Sequence, residues 1–243
     1  MKKFSENETF SCLLQPASED ILENKESGVW TPLNLRDHAV KGHWSEQMFH
    51  GRNCPIVLEL GCGKGGFTAK TAAAEPDVLL IAVEKVPDAM VVAMERAKND
   101  DLKNVWFVDG DAALLPDMFA PGEIDRLYIN FCDPWPKSNQ KKRRLTHGNF
   151  LKKYRQVLAR GGQIHFKTDN DKLFEWSLEE IPQFGFQLSE VTRDLHADGP
   201  VGVMTDYEAK FHELGTPIHR LVATMVDWEE PEDAPEASPA EEE

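Results

Sequence analysis

At 243 residues with 41% hydrophobic content, the chain is long enough to bury a full α/β core, which excludes wholesale disorder. Its formal charge of −15, from 27 basic against 42 acidic side chains, argues on its face against a polyanionic partner. That charge is unevenly spread.

Nine acids and no base lie between Asp227 and Glu243. This Pro- and Glu-rich stretch, residues 227–243, lacks apolar periodicity and reads as a disordered acidic tail. Residues 134–168 show the opposite bias, with ten basic side chains and no acid. The N-terminus, MKKFSENETFSCLL, holds no apolar run of signal-peptide length, and nothing elsewhere approaches the roughly 18 apolar residues of a membrane helix. A cytoplasmic protein without a membrane partner is expected. Cys12, Cys54, Cys62 and Cys132 form neither a C-x-x-C pair nor zinc-ligand spacing, so they read as reduced thiols and no metal is expected.

In chain order, residues 1–50 form a polar, partly ordered arm carrying Trp30, Trp44 and Phe49. A single domain over 51–226 follows. The apolar run 56–60, a glycine turn, and a helix ending near Pro76 precede a second apolar run over 78–83. Pro87 suits a helix start and Asp88–Asn99 supplies the helix, before a strand at Asn104–Val108. A strand over Ile124–Phe131 leads to a helix over Asn149–Arg160, with Gly161 and Gly162 as its stop and a strand at Gln163–Lys167. A helix over Asp171–Glu180, an apolar segment at Phe184–Thr192, a short helix from Asp206 and a run at Ile218–Met225 complete the pattern, the last two apolar runs reading as a hairpin-like pair. Short, fully apolar runs alternating with helices are the mark of a doubly wound parallel sheet. In such sheets ligands sit beyond the carboxyl ends of the strands.

The first strand ends in Glu59-Leu60-Gly61-Cys62-Gly63-Lys64-Gly65-Gly66. Glycines there allow close backbone approach of a nucleotide-like ligand to a helix N-terminus. Gly61, Gly63 and Gly66 also satisfy the dinucleotide pattern, so the turn alone does not separate the two ligands, and a packing turn is the plain alternative. Glu84, 18 positions beyond Gly66, is placed to accept ribose hydroxyls; its plain alternative is a solvated partner of Lys85. Asp111 either accepts from an adenine amine or caps the helix beginning at Ala112. Glu59 inside an apolar strand would repel a pyrophosphate but suits a sulfonium and an amino group, which favours a methyl donor over NAD.

The fourth strand ends in Asp133-Pro134-Trp135-Pro136-Lys137, followed by Ser138-Asn139-Gln140 and then Lys141-Lys142-Arg143-Arg144. Two prolines around a tryptophan hold an indole and a carboxylate at a strand end, beside cations able to track phosphates. The plain alternative is a packing corner with a solvated basic face.

These blocks carry a family resemblance. With HFKTDN at His165–Asn170 and TDYEAKF at Thr205–Phe211, the chain from about Lys41 to Met225 resembles the bacterial tRNA (guanine-N7)-methyltransferases. The resemblance implies a Rossmann-like class I methyltransferase fold, with a seven-stranded sheet whose last strand is antiparallel. It implies S-adenosylmethionine as donor, bound by Glu59, Gly61, Gly63, Glu84, Asp111 and Asp133. It further implies a tRNA partner, methylated at guanosine 46 of the variable loop, with contacts from Lys137, Asp169, Thr205, Asp206, Tyr207 and Glu208. Asp133 takes the catalytic role by orienting guanine or donor, and Lys141, Lys142, Arg143 and Arg144 are assigned to the RNA backbone. Thr205 and Glu208 also form a capping-box pattern, Asp169 also reads as a helix cap, and Lys167 also reads as a solvated strand end. Ser138-Asn139-Gln140 departs from the family's usual basic run. Relatives are monomeric or dimeric, and both states stay open. A nucleobase amino-methyltransferase, an NAD oxidoreductase and a noncatalytic RNA-binding module are the competing function classes.

Overall fold

The structure is a computed structural model, described here for residues 39–49 and 53–229. Seven strands form one sheet: β1 (Ile56–Leu60), β2 (Leu79–Glu84), β3 (Val105–Asp109), β4 (Ile124–Asn130), β5 (Leu158–Thr168), β6 (Phe186–Thr192) and β7 (His219–Met225). Their order is β3-β2-β1-β4-β5-β7-β6. β1 to β5 pair in parallel, whereas β7 runs antiparallel to both β5 and β6. The expected class I methyltransferase sheet, including its antiparallel last strand, is therefore present. Progression outward reverses between β1 and β4, which makes their carboxyl ends the topological switch point.

Helices cover both faces, and strand alternation decides which core each side chain enters. Ile56, Leu58 and Leu60 of β1 join one core with α1 (Trp44–Met48), α4 (Leu115–Met118), α5 (Gly148–Val157) and α6 (Asp171–Glu180). Val57 faces the other core, built on α2 (Gly66–Ala74) and α3 (Pro87–Asn99) through Phe67, Ala72, Met90, Ala93 and Met94. A last helix, α7 (Asp206–Glu213), buries only Glu208.

Trp44 and Phe49 of the expected arm belong to the first core, and the Trp44 indole donates to the Met118 carbonyl at 3.0 Å. Residues 1–38, including Trp30, lie outside the described residues. At the other end, the first two residues of the expected tail are docked. Asp227 pairs with Arg160 at 2.7 Å, and Trp228 packs 6.1 Å from the Phe184 ring. The remainder of the tail, from residue 230, lies outside the described residues.

One boundary departs from expectation. The helix expected to reach Arg160 stops at Val157, and Leu158 to Gly162 already belong to β5. A register shift in the β4–β5 pairing between Ile124 and Arg126 accommodates this start. Gly162 is needed because a side chain there would come within 2.8 Å of the Ala159 carbonyl. The glycines mark an irregularity in a strand rather than the end of a helix.

Candidate active site

A cleft of about 250 Å³ opens at the switch point. Its floor is Glu59 from β1 and Asn130 from β4, its near wall the Gly61–Gly66 turn, and its far wall Phe131 with Thr205, Asp206 and Tyr207. Gly61 and Gly63 sit at φ +74° and +54°, and a side chain at either would project into open space. The turn thus stays low enough for a ligand to lie on its backbone. At Gly66 the constraint is packing, since a Cβ would come within 2.5 Å of the Asp206 carboxylate.

Glu59 is 2% exposed. Its carboxylate accepts from the Thr68 hydroxyl at 2.6 Å and from Asn130 Nδ2 at 3.3 Å. Burial pushes its pKa up to about 7, against the opposing hydrogen bonds from Thr68 and Asn130 and the charge of Lys167. The Asn130 side-chain oxygen is buried without a hydrogen-bond partner. The floor therefore holds an unsatisfied acceptor and a carboxylate that a cation would ionise, which fits a ligand bearing an ammonium group. Asn130 is a residue that spacing did not single out as a site; its signal was a polar side chain closing an apolar strand.

Glu84 is neither solvated nor ion-paired with Lys85. It accepts from three backbone amides: Gly63 at 2.8 Å, and Lys85 and Val86 at 2.9 Å each. A carboxylate offers about four acceptor positions, so one on Oε2 stays open to a ligand hydroxyl. Asp111 is exposed and accepts from the Ala113 amide at 2.9 Å. It caps the short turn before α4.

The turn after β4 begins at Phe131 of the far wall. Phe131 and Trp135 are non-glycine residues at φ +53° and +41°, a left-handed conformation that costs about 1–2 kcal/mol each. Between them Asp133 is exposed. Arg143 lies 4.0 Å over the Trp135 ring, and Lys137, Lys141, Lys142 and Arg143 are exposed, on or beside a 3₁₀ turn.

Four sequence-based assignments change here. Arg144 is 6% exposed and turned inward, donating to the carbonyls of Pro134 and Trp135. It does not face an RNA backbone as expected. Lys167, 6% exposed, is no solvated strand end: its ammonium reaches both Glu208 oxygens, at 3.0 and 2.8 Å, and the Val203 carbonyl at 2.9 Å. Glu208, expected to touch substrate, is fully buried and also accepts from the Thr205 amide at 3.1 Å. The Val201 amide donates to His196 Nδ1, which leaves Nε2 to donate to Glu208 at 2.9 Å. With four hydrogen bonds from three groups on its two oxygens, Glu208 has no acceptor position left for substrate. Finally, the cap of α6 is Asn170 rather than Asp169.

Asp169 instead faces the Tyr207 side chain: burial first, then the charge and hydrogen bond of Asp169, raise the phenol's pKa. The expected capping box between Thr205 and Glu208 is present. It fixes the start of α7, so that the Tyr207 ring, 46% exposed, packs at a tilt 5.1 Å from that of Phe131 at the cleft wall. Asp206 is ion-paired with Arg96 at 2.7 Å and with Lys70 at 3.5 Å. Among the described residues no group of three or more His, Cys, Asp or Glu is placed to hold a metal, and no helix is long and apolar enough to cross a membrane.

A family model described as a putative methyltransferase matches residues 53–221. A tRNA (guanine-N(7)-)-methyltransferase of Bacillus subtilis (strain 168) is 42% identical over 216 residues, covering 88% of this chain and 97% of that protein. One from Lactococcus lactis subsp. cremoris (strain MG1363) is 43% identical, covering 86% and 95%. Among solved structures, the 16S rRNA methyltransferase KamB matches with TM-score 0.56 at 18% identity, over 71% of this chain and 88% of that one. A variant of the 16S rRNA (adenine(1408)-N(1))-methyltransferase from Catenulisporales acidiphilia, solved with cosubstrate SAM, matches with TM-score 0.51 at 15% identity, over 73% and 88%. Those two likenesses speak to the fold, whereas the close and nearly full-length sequence matches settle the family: the chain belongs to the tRNA (guanine-N7)-methyltransferases.

Proposed function

We propose that this protein transfers a methyl group from S-adenosylmethionine to N7 of a guanosine in tRNA, at position 46 of the variable loop, in the cytoplasm. The observation that carries this reading is the cleft floor: a buried carboxylate and an orphaned amide oxygen, in a cleft whose wall includes Phe131, the first residue of the strained Phe131–Trp135 turn. The names of the sequence relatives support tRNA and guanine N7 as the target.

Glu59 and Asn130 would hold the donor's amino end, Glu84 a ribose hydroxyl, and the Gly61–Gly63 turn its body. The donor supplies a methyl group on a positively charged sulfur. Guanine N7 has an in-plane lone pair and no proton, so no residue has to act as an obligatory base. The protein's work is alignment and exclusion of water. Asp133 orients the guanine or the donor's amino end, Lys137 fixes a phosphate or base edge beside it, and Phe131 with Tyr207 closes the apolar side of the cleft. Asp169 acts through the Tyr207 hydroxyl, and Asp111 remains open to an adenine amine. Lys141, Lys142 and Arg143 follow the RNA backbone.

The test is methyl transfer from labelled S-adenosylmethionine to unmodified bulk tRNA, with the product nucleoside identified and its position mapped. 7-Methylguanosine at position 46 is expected. A methyl group on an exocyclic amine, or no transfer to tRNA, would overturn the reading.

A further inference from the structure

The turn Phe131–Trp135 is held in an unfavourable shape at both ends, at φ +53° and +41°. Its first end is tied to the sheet, where the Phe131 amide donates to the Lys167 carbonyl at 2.9 Å. The second end is tied by one side chain. Arg144 Nε donates to the Pro134 carbonyl at 3.0 Å and lies 3.3 Å from that of Trp135, while Nη2 donates to the Trp135 carbonyl at 3.1 Å. The guanidinium sits 4.5 Å over the Trp176 ring of α6. The Arg144 backbone is fixed as well, by bonds to Lys141 and His147 at 3.1 and 2.9 Å.

The company this arginine keeps differs from that of Arg126 and Lys167, which meet carboxylates. Arg126 meets Glu75 with two hydrogen bonds, at 3.1 and 2.6 Å, whereas the hydrogen bonds of Arg144 go to backbone carbonyls. Burial without a bonded carboxylate penalises the charge, and its pKa is lowered accordingly, with Glu180 only partly offsetting the effect. A guanidinium placed this way spans two successive carbonyls with a rigid fork, which an ammonium does not do.

We propose that Arg144 is a positioning residue for methyl transfer: by bridging the Pro134 and Trp135 carbonyls it holds the strained turn that presents Asp133, and it takes no phosphate. The inference deepens the tRNA methyltransferase reading and rests on it for its kinetic arm. It separates the four-residue basic cluster into three cations for RNA and one for the turn.

Arg144→Ala and Arg144→Lys are compared with wild type in the full chain. Arg144→Ala is expected to lower kcat about a hundredfold, with the donor Kd from calorimetry within twofold and the salt dependence of tRNA affinity unchanged. Guanidinium ion added to Arg144→Ala restores part of kcat. Arg144→Lys keeps the charge and much of the packing, so it reports even where the alanine variant fails to fold; a loss of about tenfold in kcat is expected. Wild-type kcat in Arg144→Lys, or a shallower salt slope with kcat intact in Arg144→Ala, would overturn the proposal.

Hydrogen exchange supplies an arm independent of activity. The Phe131, Arg144 and His147 amides, each hydrogen-bonded at the two ends of this tie, should exchange at least tenfold faster in Arg144→Lys, and unchanged exchange would also overturn it. Absence of tRNA methylation by the wild-type protein, with this exchange difference present, would count against the proposed function and leave the role of Arg144 standing.

Discussion

The two sides of the cleft are built by different means. On the side we assign to the donor, Glu59, the Gly61–Gly63 turn and Glu84 lie within 26 positions of one another, and backbone amides do most of the holding. On the side we assign to the acceptor, three segments distant in sequence meet: Phe131–Lys137, Lys167–Asp169 and Val203–Tyr207. What joins them is buried side-chain charge, Arg144 under one turn and Lys167 with Glu208 and His196 under the other. A site made from one continuous stretch needs only the right residue spacing. One assembled from distant segments needs bolts, and here the bolts are cations that in a charge count look like surface residues.

The largest test of this contrast is Asp133→Ala. If Asp133 aligns the reacting atoms, kcat falls at least a thousandfold, about 4 kcal/mol of transition-state stabilisation; donor binding measured by calorimetry stays within twofold if Asp133 orients the guanine and weakens if it holds the donor's amino end. Near-wild-type turnover would remove Asp133 from the mechanism. Next comes the buried bolt. Lys167→Met leaves the Glu208 carboxylate, fully buried, without its cation, and breaking such a pair costs about 3–5 kcal/mol. Urea unfolding should show that loss. The double variant Lys167→Met/Glu208→Gln should recover part of it, and a loss below about 1 kcal/mol in the single variant would mean that the pair is not what holds α7.

The donor side should answer to pH instead. Burial raises the Glu59 pKa from its ordinary 4.5 to about 7, so the folded protein keeps a proton that the unfolded chain releases. That group's contribution to stability is present below pH 4.5 and is lost as pH rises through 7. Binding a cationic donor reverses the preference, because the carboxylate must be ionised. Donor affinity should therefore weaken about 25-fold from pH 7.5 to pH 5.5. Glu59→Gln should bind more weakly at pH 7.5 and show a nearly flat profile, and an equally flat profile in the wild type would disconnect Glu59 from the donor.

The same contrast explains what the sequence discloses. The glycine turn, the apolar strands and Glu59 are local patterns, and each is found where spacing puts it. The capping box at Thr205 is likewise local, and it forms. The start of β5 is hidden in the sequence because Gly161 and Gly162 after a helical stretch look like a stop. Only the register against β4 shows them to be part of a strand. Arg144 stands among exposed cations in the sequence, yet it is buried because Trp176 and the Pro134 and Trp135 carbonyls, ten or more positions away in most cases, converge on it. Lys167 and Glu208 are 41 positions apart. No periodicity or spacing connects residues that meet only through the fold.

The smallest expected effect separates the exposed cations from the buried one most cleanly. Lys141, Lys142 and Arg143 are exposed beside the strained turn. A cation that neutralises one phosphate of a single-stranded segment contributes about 0.7 to the slope of log affinity against log salt. Each of Lys141→Ala, Lys142→Ala and Arg143→Ala should thus lower the salt-driven loss of tRNA affinity between 50 and 200 mM by about 2.5-fold. The three effects should add in the logarithm, provided each cation meets its own phosphate. Arg143→Ala should differ in one respect, because Arg143 also lies 4.0 Å over Trp135: it should lower kcat slightly as well, where the lysine variants leave kcat alone. Three unchanged slopes would mean that the basic face lies outside the tRNA path, and the acceptor side would then have to recognise RNA by Lys137 and the aromatic wall alone.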